Sequence, residues 1–194
     1  MNLSRNIRIY LTVLSMLVIV ISSSCGFIAF YDRRVSELAR EGNKLLEKDA
    51  AISREWRDEF ITVFTPENRA RFPSNRDDLR PHAENLIRLL EQRVALNNEA
   101  AAKFDQAAEI SRLEKEKKFA SLMAGSLRKD VEINLLLLDQ MRLVLDEEIK
   151  DQIAFNSAFM TITDNVGLKL KESRDLSSAA RECMGRKATL SIPY

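Results

Sequence analysis

One histidine, two cysteines and scattered carboxylates are the side chains of this 194-residue chain from which a metal or acid–base centre could be assembled. His82 stands alone, so neither a zinc cage nor a nucleophile–histidine triad can be built around it in the usual way. It reads as a solvent-facing residue in the opening turn of a helix. A di-metal carboxylate bundle draws on Glu-x-x-His pairs, which a single histidine cannot supply. Glu147-Glu148 and Asp77-Asp78 sit in amphipathic contexts and read as solvated faces rather than acid and base couples. Gly26, Gly42, Gly125, Gly167 and Gly185 are isolated, so no phosphate-cradling loop is present in the sequence. Cys25 lies inside an apolar run and Cys183 near the C-terminal end, too few and too far apart for a disulfide framework. Cys183 reads as a free thiol or as a cross-link between two copies. The expectation is a non-enzymatic protein with no catalytic residue, no cofactor, no metal and no evident small-molecule substrate.

The elements that must carry these residues are helical. Thirty basic and 29 acidic residues are interleaved, giving a net charge of +1, so no face is dedicated to a phosphate backbone and nucleic acid is not an expected partner. Only 5 Gly and 4 Pro occur. The Ala, Leu, Glu, Lys and Arg that dominate after Asp32 lose little rotamer freedom in a helix, which points to an all-α fold.

After a short basic segment, residues 1–8, the run Ile9 to Tyr31 carries no charge over 23 residues, and at about 1.5 Å per residue it matches the roughly 30 Å hydrocarbon core of a bilayer. A single transmembrane helix over 9–31 is therefore expected, with Tyr10, Phe27, Phe30 and Tyr31 at interfacial positions. Two competing readings exist: a cleaved signal peptide ending near Ser22 to Ser24, and a lipoprotein cleavage box before Cys25. The first conflicts with the apolar run continuing through Gly26 to Tyr31; the second lacks the usual Leu three residues before the cysteine. Ser15, Ser22, Gly26 and Ala29 form a small-residue stripe that would let membrane helices pack closely. Lys and Arg counts slightly favour the second flank as cytoplasmic. A short basic head followed at once by an apolar helix is nevertheless a signal-anchor arrangement, so the expectation is an N-terminus in the cytoplasm and a domain outside it.

Nothing breaks the pattern at Asp32, and Val35, Leu38, Leu45, Ile52, Trp56, Phe60 and Val63 continue one helix face. The sequence predicts one continuous helix ending near Phe64, a loop over Thr65 to Asn75, then a second helix capped by Ser74 or Asn75 with Leu79, Leu86, Leu90, Val94, Ala101, Phe104 and Ala108 on its face. The turn into the third helix falls either in the charged run Glu114 to Lys118 or at Gly125-Ser126; similar helix lengths would favour a stop near Leu113, and periodicity alone does not choose. The assignment taken is helices at about 32–64, 77–124, 126–163 and 167–184 in a bundle over 32–184, with a flexible tail over 185–194. The third helix holds the strongest heptad, Leu127, Val131, Leu138, Met141, Leu145, Phe155 and Phe159, a core or partner seam; Asn134, Glu148 and Gln152 fall on or beside it, either as polar seam residues that fix register or partner number or, the reading preferred, at a bundle edge that reaches water. Asp164 to Gly167 reads as a turn.

A membrane helix running into an antiparallel bundle suggests a bitopic scaffold or assembly subunit, with membrane lipid and other complex subunits or further copies of itself as partners. The layout is also similar to the extracytoplasmic half of bacterial chemoreceptors, without their second membrane helix and signalling hairpin, which would imply a sensory bundle. A helix, a stalk and a late cysteine resemble inner-membrane spanins as well.

Overall fold

The computed structural model describes the backbone of residues 5–184 and the side chains of residues 33–183. These residues form five helices and no strand: α1 (Arg5–Val63), α2 (Pro66–Ala70), α3 (Arg76–Ile110), α4 (Glu114–Leu145) and α5 (Gln152–Met184). Helix α1 runs through Asp32 without a break over 59 residues, about 88 Å at the usual rise. The apolar run Ile9 to Tyr31, with Ser15, Ser22, Gly26 and Ala29, lies outside the described side chains. Among the described residues, no helix is long and apolar enough to cross a membrane.

The long helices pack in chain order, α1 along α3, α3 along α4 and α4 along α5. Cross-helix pairs fix an antiparallel register. Glu41–Lys103, Asp49–Arg93 and Glu59–His82 step along α1 and α3, while Lys129–Glu172 and Glu132–Lys169 do the same for α4 and α5.

Where the chain turns, small polar side chains take over from the helix ladder. Thr65 caps α2, its hydroxyl accepting from the Asn68 amide at 3.2 Å with Pro66 behind it, so the expected loop over 65–75 contains a helical turn. The break between α3 and α4 falls at 111–113, not at Gly125: Ser111 is extended, and its hydroxyl reaches the Leu113 carbonyl and the Glu116 carboxylate. Gly125 and Ser126 lie inside α4 instead. The predicted third helix over 126–163 is likewise two pieces. Asp146 accepts from the Glu148 amide and Asp151 from the Ala154 amide, both at 3.0 Å, so two aspartates turn the chain and recap it without any Gly or Pro. The predicted turn at Asp164 to Gly167 is absent, and those residues continue α5. Propensity lost at one glycine is small beside the packing of a whole helix face.

The core divides in two. Around Leu38 the helices meet through Ala100, Ala107, Ala120, Ala124 and Ala180 with Phe104 and Phe119 between them. At the other end the filling is aromatic. Trp56 and Phe60 on α1 and Phe64 just past its end stack in a row, the Phe159 ring lies 6.4 Å from Phe64, and Phe72 stacks on Phe155 with centroids 3.9 Å apart. Arg69 and Arg76 cover Phe159 and Phe72 as cation–π partners at 5.2 and 4.8 Å.

Candidate functional site

Between these two apolar clusters the bundle has a polar waist. On α3, Arg93 and Asn97 lie one turn apart on the same face; on α4, Asp130 and Asn134 do the same. Asn97 and Asn134 are each 1% exposed, and neither side-chain amide has a partner among the described residues. Buried amides of this kind are where structural water is held. Of the two readings of Asn134, the water-facing edge does not hold and the polar seam position does, since its side chain is interior, whereas Glu148 and Gln152 are exposed at the edge.

At the waist α1 and α5 do not close on each other. They form the two walls of a cleft of about 490 Å³, with α3 and α4 behind it. Its floor is a hydrogen-bonded set. Arg93 grips Asp49 with two guanidinium nitrogens, at 2.9 and 3.4 Å, both side chains being 14% exposed. Beside this pair Ser173 donates to Asp130 at 2.7 Å, and the Ser126 hydroxyl meets both the hydroxyl and the carbonyl of Ser173 at 3.1 Å. Burial pushes the Asp130 carboxyl above the ordinary aspartate range against the pull of its Ser173 bond, and neighbouring Asp49 adds to the rise. Leu46, Ala50, Met123, Leu127 and Leu170 supply the apolar lining, and Arg54, Arg57 and Arg174 stand at the rim.

Outside the cleft, Lys129, Glu132, Lys169 and Glu172 form a four-membered charge network across α4 and α5, with contacts from 2.9 to 3.4 Å. Hydrogen bonds to Glu132 and Glu172 push the Lys129 ammonium up to about 12. These groups lie at the solvent boundary, half-buried or exposed, so the network sets register more than it adds stability.

The residues expected on the seam are split between helices. Leu127, Leu138 and Met141 are buried on α4, Val131 and Leu145 half-buried there, and Phe155 and Phe159 are buried on α5. Leu127 belongs to the alanine-rich cluster and Leu138, Met141, Phe155 and Phe159 to the aromatic one, so five of the seven fill the bundle's own interior rather than a face left for a partner. His82 is not purely solvent-facing: its Nδ1 lies 3.0 Å from a Glu59 oxygen on α1. Cys183 is a half-buried free thiol. Among the described residues no group of His, Cys, Asp and Glu could hold a metal ion.

The cleft was missed because its members come from four helices with no shared local pattern. The one available signal was the run of small polar residues on α5, Ser173 and Ser177, placed where a helix face should be apolar. Neither protein-family models, nor curated proteins, nor solved structures give a match to this chain.

Proposed function

We propose that the protein is a non-enzymatic, membrane-anchored helical bundle that acts by association with other subunits of a membrane complex or with further copies of itself, its bundle lying outside the cytoplasm. The uncharged 23-residue run Ile9 to Tyr31 supports the anchor, and its basic head supports the orientation. The observation that carries the association is on α5. Ile153, Met160 and Leu168 are 78%, 48% and 65% exposed and fall within one narrow stripe of that helix, on the side turned away from the core. Three large apolar side chains so aligned on a helix whose main packing is along α4 are what a partner helix would cover.

The test is the mass of the detergent-solubilised protein taken from its native membrane. A species larger than the monomer is expected, and replacing Ile153, Met160 and Leu168 together by Asp returns it to monomer with its helical content unchanged. A wild-type monomer overturns the reading. The cleft favours a second reading, a sensory bundle, because its two walls are the helix continuous with the apolar run and the helix that returns to the same end of the bundle: Ala180 of α5 packs in the cluster containing Leu38 of α1.

A further inference from the structure

We propose that the cleft between α1 and α5 binds a small organic carboxylate with an apolar body. Its size suits such a ligand, since pockets for small molecules commonly span about 300–1,000 Å³. Its charge selects the sign. Four guanidiniums, those of Arg54, Arg57, Arg93 and Arg174, face two carboxylates, Asp49 and Asp130. Arg93 and Asp49 satisfy each other, Arg57 has Asp58 beside it at 3.4 Å, and Asp130 is held by Ser173. Arg54 and Arg174 are left on opposite walls with no carboxylate within ion-pair distance among the described residues. Arg54 commits only its Nε, to the Ala50 carbonyl at 3.3 Å, and so keeps its terminal N–H groups for a ligand.

A guanidinium presents parallel N–H donors matched to a carboxylate, so one anionic group between Arg54 and Arg174 would be held from both walls. Below the rim, Leu46, Met123, Leu127 and Leu170 offer an apolar surface that an inorganic anion cannot use. Size, sign and polarity together specify an organic acid rather than phosphate, an amine or a neutral sugar. Bridging the walls would draw α1 toward α5 where these helices otherwise lie apart, so occupancy would be felt along α1. This site lies away from the α5 stripe, and binding in it does not depend on association.

The experiment is a titration of the full-length protein in mild detergent, read by thermal stabilisation and by calorimetry. The probes are benzoate and 4-phenylbutyrate, with benzamide as the neutral isostere and sulfate as the inorganic anion. Saturable stabilisation by the two carboxylates alone is expected. Arg54→Gln and Arg174→Gln, both at exposed positions and so compatible with folding, should each weaken it by about tenfold or more, the loss of one charge-assisted hydrogen bond. Lys150→Gln, on the loop after α4, should leave it unchanged. Failure of both carboxylates to bind at millimolar concentration, an equal response to sulfate or benzamide, or unchanged affinity in both arginine variants would each overturn the assignment. None of these results bears on the oligomeric mass that tests association.

Discussion

Replacing a helical glycine by alanine ordinarily stabilises, because glycine costs about 1 kcal/mol in a helix interior. Three glycines in this bundle separate that gain from packing. At Gly42 on α1 an added Cβ would sit 2.9 Å from Cε2 of Phe104 and 3.2 Å from two more of its ring carbons. Carbon atoms pack best at about 3.5–4.0 Å, so α1 and the ring would have to part by roughly 0.6 Å or more. Phe104 is fully buried among the alanines of its cluster and has nowhere to go. Overpacking of this kind costs about 1–3 kcal/mol, which cancels or exceeds the propensity gain. At Gly167 the same Cβ meets nothing within 4 Å, and at Gly125 it meets only a Leu176 methyl at 3.6 Å, an ordinary contact. Gly167→Ala and Gly125→Ala should therefore stabilise by up to about 1 kcal/mol, whereas Gly42→Ala should be neutral or destabilising by up to about 2 kcal/mol. Denaturant unfolding of the three variants gives the ordering directly, and a double-mutant cycle with Phe104→Leu isolates the clash, since trimming the ring should make Gly42→Ala less harmful. If Gly42→Ala stabilised as much as Gly167→Ala, the close approach of α1 and α3 would be refuted.

The aromatic end and the waist give two further expectations. Phe155, fully buried against Phe72 and Phe159, should cost about 3–5 kcal/mol as Phe155→Ala in equilibrium unfolding, while Ile153→Ala two residues away and 78% exposed should change stability by less than about 0.5 kcal/mol. Asp130 has a folded-state pKa above its unfolded value, so its ionisation opposes folding: the penalty is absent below the unfolded pKa, grows as pH rises through the folded one, and is complete above it. Asp130→Asn keeps an acceptor for Ser173 and should raise the melting temperature at neutral pH, with the gain shrinking on acidification and gone below about pH 3.8. A gain that persisted there would show that charge burial is not its cause.

The residues that made the fold legible were those whose role is local and periodic. The faces Val35 to Val63 and Leu79 to Ala108 and the breakers Pro66 and Pro73 between them were sufficient to place the end of α1 and the start of α3, but not the end of α3 at Ile110. The later boundaries depended on features with no periodic signature. Asp146 and Asp151 end and restart helices by accepting single hydrogen bonds from nearby amides, Ser111 marks the α3–α4 break by turning its hydroxyl to the Leu113 carbonyl and the Glu116 carboxylate, and Gly167, a break by its residue type, is absorbed by α5. The cleft was not legible because Arg54, Arg93, Asp130 and Arg174 become neighbours only through the antiparallel register of four helices.

The two ends of the core differ in what they can tolerate. At the alanine positions where α3, α4 and α5 meet beside Leu38, there is little side chain to trim and no room to add any, so at those positions only exchanges among Ala, Gly and Ser leave the helix spacing intact. Around Phe60, Phe72, Phe155 and Phe159 the spacing is set by large rings, which can be traded for other large apolar groups as long as the volume is kept. Sequence drift would therefore be filtered by size at one end and by total volume at the other, leaving related chains with a fixed small-residue signature beside Leu38 and a variable apolar one beside Phe64.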